Sequence, residues 1–86
     1  MNNKTKGAAV DNVDTVKEII LDALKMKGGQ PLLLNQVYKD IFSICGDRSI
    51  EVTLEVVGVL QAEGILTGGP IANNLLWQTI IYPRRG

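Results

Sequence analysis

Histidine is absent from this 86-residue chain, and cysteine occurs once, as Cys45. A structural zinc site is built mainly from cysteine and histidine ligands, which this chain cannot supply in sufficient number. Without an imidazole, no serine or threonine can be activated in the manner of a catalytic triad. The glycine pairs Gly28-Gly29 and Gly68-Gly69 match neither common phosphate-loop pattern. We predict a protein that is not an enzyme, with no catalytic residues, no metal and no cofactor.

Long hydrophobic runs are missing as well, although 45% of the residues are hydrophobic. No apolar run approaches the roughly 18 residues that a membrane span needs, and residues 1–7 lack the hydrophobic segment of a signal peptide. A single cysteine cannot form an internal disulfide, so nothing indicates an oxidising compartment. The sequence predicts one intracellular domain, cytoplasmic or nuclear, with no membrane partner and no small-molecule substrate.

Helical periodicity is clear after Asp14, whose carboxylate we expect to cap the first helix. Apolar residues recur there at intervals of three and four, and charged residues occupy the opposite side. Gly28-Gly29 and then Pro31 are expected to end the helix. Residues 1–12 are polar and small, and we predict a flexible N-terminal tail. The apolar stripe consists of Val16, Ile19, Ile20, Ala23 and Leu24.

Two more helices are predicted after a short buried strand at residues 32–34. Asn35 is expected to cap the second helix, and Ser49 the third, which covers residues 50–62. After Gly64, residues 65–67 and residues 75–82 are rich in bulky and β-branched side chains, which favours strands. The inward side chains of the second helix are predicted to be Val37, Ile41 and either Ile44 or Cys45.

The predicted order is helix, strand, helix, helix, strand, loop, strand. That order is typical of a winged helix, in which a three-helix core is followed by a C-terminal β-hairpin wing. We therefore predict an α+β winged-helix domain over residues 13–83. A short basic tail, residues 84–86, follows it.

Residues 54–66, LEVVGVLQAEGIL, together with Trp77-Gln78, carry a family resemblance. They resemble the third helix and wing of the cell-cycle transcription factors that pair with DP proteins, and the resemblance implies the winged-helix fold. In that family the third helix opens with two adjacent arginines that contact bases. Glu51 and Val52 stand at the corresponding positions here, so the resemblance implies no base-reading residue in this chain.

The third helix carries apolar residues on more than one side. At about 100° per residue, one cluster contains Ile50, Leu54, Val57 and Leu60, with Thr53 at its edge, and we predict that it faces the core. The valines on the other sides, surrounded by acids, then form an exposed apolar patch, which is typical of a protein-binding surface. The alternative is a helix buried on two sides. The predicted surface comprises Glu51, Val52, Glu55, Val56, Val59 and Glu63.

The last predicted strand is a second interface candidate, because it is apolar on both faces and a solvated wing needs only one apolar face. Its candidate residues are Leu75, Trp77, Thr79 and Ile81. Alternatively, Pro83 and the arginines after it restrain a strand edge that would otherwise aggregate.

The charge distribution disfavours DNA as the main partner. Between residues 14 and 82 there are five basic and eight acidic side chains, a balance of −3, whereas phosphate binding needs lysine and arginine. We predict a non-enzymatic protein-interaction or assembly module within machinery that handles nucleic acid, with a protein partner that is either a second copy or another chain. The alternative is a small dimeric DNA-binding transcriptional regulator. Its nucleic-acid contacts would come from the tails, through Lys4, Lys6, Arg84 and Arg85.

Overall fold

The structure is a computed structural model that describes residues 8–67 and 73–84. The α-helices of this part are α1 (Ala8–Lys27), α2 (Tyr38–Cys45) and α3 (Ser49–Ala62). The strands are β1 (Leu32–Leu33), β2 (Leu66–Thr67) and β3 (Ile80–Pro83). Single turns of 3₁₀-helix cover Leu34–Val37 and Gly46–Arg48, and a longer one covers Asn73–Gln78. Together these elements make an α+β fold.

Helix α1 is longer than predicted at its N-terminus. It begins at Ala8, so Asp14 lies inside the helix and the prediction that Asp14 caps it is wrong. The segment from Ala8 to Asp14 contains neither glycine nor proline, and alanine is the strongest helix former, so nothing stops the helix there. Residues 8–12, predicted as tail, are therefore helical. The C-terminal end is confirmed: Gly28 adopts a φ of +62°, and its N–H donates to the Lys25 carbonyl at 3.0 Å.

The three strands form an antiparallel sheet in the order β1-β3-β2. Leu32 lies opposite Ile81, and Leu33 lies opposite Ile80. On the other side of β3, Thr67 lies opposite Tyr82. Because side chains alternate along a strand, Leu32 and Ile81 point into the core while their neighbours point outward.

The predicted strand over residues 75–82 is wrong in its first half. Asn73–Gln78 is a 3₁₀-helix, and β3 begins only at Ile80. The Thr79 N–H donates to the Leu76 carbonyl at 3.0 Å, and the Thr79 carbonyl accepts from the Leu34 N–H at 2.9 Å. An apolar run without strict alternation fits a short helix as well as a strand, and the neighbouring turn-forming asparagines favour the helix.

The predicted caps of the second and third helices are also wrong. Asn35 lies within the 3₁₀-helix that precedes α2, where its carbonyl accepts from the Tyr38 N–H. The Ser49 hydroxyl donates back to the Gly46 carbonyl at 2.7 Å instead of accepting from the first turn of α3. The predicted inward side chains Val37 and Ile41 are buried, although Val37 ends the 3₁₀-helix before α2. Of the last two candidates, Cys45 is half-buried and Ile44 is 39% exposed.

Helix α3 packs against both α1 and α2, so it is buried over a wide arc. Two of the three valines predicted to be exposed lie in the core: Val52 is 2% exposed and Val56 is fully buried, while Val59 is half-buried. Ile50, predicted as core, is 37% exposed. The buried residues follow the spacing i, i+3, i+4, i+7, i+8, i+11 of a regular apolar stripe. They are Ser49, Val52, Thr53, Val56, Val57 and Leu60.

Candidate protein-binding surface

The predicted valine surface on α3 does not exist as a patch. Val52 and Val56 are core residues and Val59 is half-buried, so only the acids of the prediction are exposed. Glu63 forms an ion pair with Lys17 of α1, with 3.2 Å between Oε2 and Nζ. The predicted core side of α3 is wrong in part: Val57 and Leu60 are buried as predicted, whereas Ile50 is exposed and Leu54 half-buried. A partly buried helix is positioned by how well side chains fit its neighbours, and β-branched valines fit here.

The outward face of α3 is nevertheless apolar and acidic. Ile50 and Leu54 lie one turn apart on it, Ile50 exposed and Leu54 half-buried. Glu51 and Glu55, each next in the chain to one of these residues, are exposed. No lysine or arginine occurs within α3, so the charged side chains that the helix itself contributes to this face are acidic.

Aromatic side chains converge next to the start of α3. Tyr38 and Phe42 lie one turn apart on α2, with ring centroids 5.6 Å apart. Trp77 packs edge-on against Tyr38, with centroids 4.8 Å apart and an interplanar angle of 71°. Phe42 is 45% exposed, and Tyr38 and Trp77 are half-buried. Three of the four aromatic residues of the chain therefore meet at one place on the surface.

These rings line an open pocket of about 130 Å³, which we call the aromatic pocket. The 3₁₀ turn Gly46–Arg48 connects α2 to α3, and Gly46 takes a φ of +55° that a side chain would strain. Asp47 of this turn and Ile50 of the first turn of α3 line the pocket together with the rings. The residues that line the pocket are Tyr38, Phe42, Gly46, Asp47, Ser49, Ile50 and Trp77.

The charge at the aromatic pocket is negative. Among the residues that the structure describes, Asp47 is the one charged residue that lines it. Arg48, the next residue, points its guanidinium at Glu51, with 3.5 Å between Nε and Oε1. Lys39 follows Tyr38 on α2 and does not line the pocket. An anionic group would therefore meet a carboxylate here, whereas a cation would be attracted.

Cys45 lies at the end of α2, close in the chain to the aromatic pocket. Burial raises the pKa of its thiol above the ordinary value, and the nearby Arg48 charge opposes part of that rise. The thiol is therefore protonated at neutral pH, which makes it a poor nucleophile.

The residues of the second interface candidate, predicted on the last strand, do not share one face. Ile81 is fully buried in the core, Thr79 is half-buried, and Trp77 belongs to the aromatic pocket. The side chain of Leu75 lies outside the described residues. A 3₁₀-helix followed by a strand does not keep the alternation of one strand, so side chains two positions apart diverge.

The outer face of the sheet is a second exposed apolar region. Leu33 and Ile80 are exposed cross-strand partners, and Tyr82 follows two residues later on the same face of β3. Of the predicted tail contacts, Arg84 is exposed, and its N–H donates to the Ile65 carbonyl at 2.8 Å, so its backbone continues the pairing of β3. Lys4, Lys6 and Arg85 lie outside the described residues.

Sequence reasoning missed Tyr38, Phe42, Asp47 and Ile50 as members of one site. The spacing of Tyr38 and Phe42 placed them beside the buried stripe of α2, which is a signal for partial exposure. Trp77 lies beside them because Asn73–Gln78 is a 3₁₀-helix. Residues 75–78 were predicted as part of a strand, so this contact was not foreseen.

No family model, no curated protein and no solved structure matches this chain. Over residues 8–67 and 73–84, no helix combines the length and hydropathy needed to cross a membrane. The same part of the chain contains no group of three or more acidic, cysteine or histidine side chains placed to hold a metal ion.

Proposed function

We propose that this chain is a winged-helix protein-interaction module that binds a partner protein through the aromatic pocket and the outward face of α3. The element order supports the fold assignment: three helices are followed by the antiparallel pair β2 and β3, with the short β1 completing the sheet. By fold-level analogy alone, such a module would work within machinery that handles nucleic acid.

The observation that carries the proposal is the character of the outward face of α3. In a DNA-binding winged helix this helix enters the major groove, and lysine and arginine neutralise the phosphates around it. Here the same face presents Ile50, Leu54 and two exposed glutamates. The helix contains no lysine or arginine, and Arg48, just before it, pairs with Glu51. Apolar groups in an acidic rim fit a protein surface better than a nucleic acid.

The aromatic pocket extends this surface. Phe42 and Ile50 expose apolar area on either side of it, and Trp77 is half-buried between the pocket and the core. Aromatic anchors of this kind are enriched among the residues that dominate binding energy at interfaces. The pocket and the adjacent face of α3 therefore form one candidate binding surface.

The proposal is tested by retention of proteins from nuclease-treated lysate on the immobilised chain. The wild type is compared with Ile50→Asp, which alters the surface, and with Met26→Asp, a matched change at a residue that is 86% exposed on α1. Retained proteins are identified, purified and titrated by calorimetry. We expect binding that survives nuclease, persists with Met26→Asp and is lost with Ile50→Asp.

The competing function, a DNA-binding regulator, predicts a different result. We expect duplex DNA to bind no better than the non-specific range of roughly 10⁻⁴–10⁻⁶ M at physiological salt. A sequence-selective gel shift at nanomolar protein in moderate salt would replace the protein-binding proposal. The exposed Arg84 and the basic residues of the tails would then be the first contacts to mutate.

A further inference from the structure

We propose that the aromatic pocket binds an arginine side chain of the partner protein, with the guanidinium beside Asp47 and the aliphatic stem against Phe42 and Ile50. This inference rests on the proposed function, because it names the chemistry by which the same surface recognises its partner. The guanidinium and the aliphatic stem of an arginine side chain each have a counterpart among the lining residues.

The size of the pocket suits one side chain. Its volume is about 130 Å³, slightly below the roughly 150 Å³ of an engineered protein cavity that accepts benzene. A peptide backbone or a helix does not fit such a space, but a single long side chain that enters from a docked segment does. The pocket is open to solvent between α2 and the start of α3, so the side chain has a route of entry.

The walls suit a guanidinium better than other head groups. A guanidinium is planar and weakly hydrated, and it stacks on aromatic faces, where the ring quadrupole attracts it. Tyr38, Phe42 and Trp77 supply such rings within one cluster. The methylene stem of an arginine can cover apolar surface while its head stays near solvent, which matches the half-exposed positions of Phe42 and Ile50.

The charge of the site selects a cation. Asp47 can accept two parallel hydrogen bonds from a guanidinium, a geometry that an ammonium cannot match. Glu55 on the neighbouring face of α3 adds to the negative potential, and Arg48 is paired with Glu51 rather than with Asp47. A purely aliphatic anchor would leave the carboxylate beside an apolar group, and a phosphate would be repelled.

The test uses the whole chain, labelled with ¹⁵N, and two small probes. N-acetyl-arginine-N-methylamide is titrated in parallel with its citrulline analogue, which has nearly the same shape but no charge. We expect the arginine probe to shift the Trp77 indole signal and the amides of Asp47 and Ile50, with a Kd on the order of millimolar. The citrulline probe should bind roughly threefold to tenfold more weakly, since it lacks the charge-assisted hydrogen bonds.

Variants separate the carboxylate from the rings. Asp47→Asn should lower the affinity for the arginine probe by roughly threefold to tenfold and leave the affinity for the citrulline probe unchanged. Phe42→Ala should lower the affinity for both probes. Asp22→Asn, at an exposed carboxylate on α1, is the matched control and should change neither. Circular dichroism establishes that each variant is folded. Equal affinity for the two probes, no effect of Asp47→Asn, or shifts confined to other surfaces would each overturn the inference.

A second arm distinguishes failure of this inference from failure of the proposed function. A random peptide library is selected on the wild type and rescreened on Phe42→Ala and Asp47→Asn. Peptides that contain arginine and depend on both residues support the inference. Peptides that depend on Phe42 but lack arginine overturn it and leave the protein-binding proposal standing. Selected peptides that depend on neither residue contradict both.

Discussion

Helices α1 and α3 pack against each other, yet their solvent faces differ. The outward face of α1 carries mainly charged side chains, among them Glu18, Asp22 and Lys25, while Val16 and Ile20 are fully buried. The outward face of α3 carries Ile50 and half-buried Leu54 beside its acids. A helix that meets only water outside its core needs no such apolar groups. The exposed surface of α1 is thus mainly charged, with Met26 as an exposed apolar side chain in its last turn, whereas α3 presents two neighbouring apolar side chains beside acids. Under the proposed function, this difference reflects a partner at α3.

The largest change in the free energy of unfolding is expected when a charge is introduced on the buried side of α3 and, for comparison, on its outward side. Val56→Asp buries an uncompensated carboxylate in a fully buried position, so we expect a loss of more than about 4 kcal/mol, enough to unfold a small domain. Ile50→Asp lies in the first turn of α3, where the helix dipole favours a carboxylate, and should cost less than about 1 kcal/mol. Circular dichroism and urea unfolding measure both. Unfolding by Ile50→Asp together with a folded Val56→Asp would mean that the two faces are interchanged.

The next test compares the buried sides of the two helices. Leu24→Ala in α1 and Leu60→Ala in α3 should each destabilise the domain by about 2–5 kcal/mol, since each removes a buried side chain and leaves a cavity. Leu60 is fully buried and Leu24 is nearly so, so the larger loss is expected at Leu60. Midpoints of urea unfolding give the values. A near-wild-type midpoint for Leu60→Ala would contradict the packing of α3 described above.

A smaller change in stability, this time a gain, is expected from a substitution of Thr53 on the buried side of α3. Its side chain is fully buried, and its hydroxyl oxygen finds no hydrogen-bond partner within the described part of the chain. Thr53→Val keeps the shape and removes the unsatisfied group, so it should stabilise the domain by about 1 kcal/mol. Thr15→Val, at an exposed position of α1, is the control and should change stability by less than about 0.5 kcal/mol. A destabilised Thr53→Val would mean that the hydroxyl is satisfied in solution.

The smallest change in stability is expected at Gly58, an exposed glycine inside α3. Helix α1 contains no glycine. A Cβ added at this position meets no atom within 4 Å, and the backbone is not in the left-handed region. Gly58→Ala should therefore stabilise the isolated chain by roughly 0.5–1 kcal/mol through the unfolded state and helix propensity. Thermal unfolding at several protein concentrations measures the change. A loss of stability that depends on concentration would reveal a close contact with a second copy at this face.

Helices α1 and α3 also show when sequence periodicity can predict the buried side of a helix and when it cannot. In α1 the apolar and charged residues segregate, so the stripe through Val16, Ile20 and Leu24 was predicted and is buried. In α3 two stripes of similar hydrophobicity compete, one through Ile50 and Leu54 and one through Val52 and Val56. Periodicity cannot choose between them, because each satisfies the helical spacing. The choice was made by packing against α1 and α2.

The candidate site shows a similar limit. The acids Glu51 and Glu55 and the absence of basic residues from α3 are properties of the sequence, so the prediction against groove binding did not depend on the fold. The aromatic pocket did depend on it, since Trp77 is separated from Tyr38 by a large part of the chain. Only the 3₁₀-helix at Asn73–Gln78 and the sheet pairing of β3 bring the two rings together.

By itself, the sequence determined the order of the helices and strands, the glycine end of α1, the short strand β1 and the residue types that the chain lacks. These properties are local: they follow from side-chain composition, spacing and backbone preference over a few residues. The tertiary structure alone decided which side of α3 is core, where β3 begins and which side chains line the aromatic pocket. Those outcomes depend on how side chains from distant segments pack against one another. Close packing selects one of two helix faces that are equally hydrophobic.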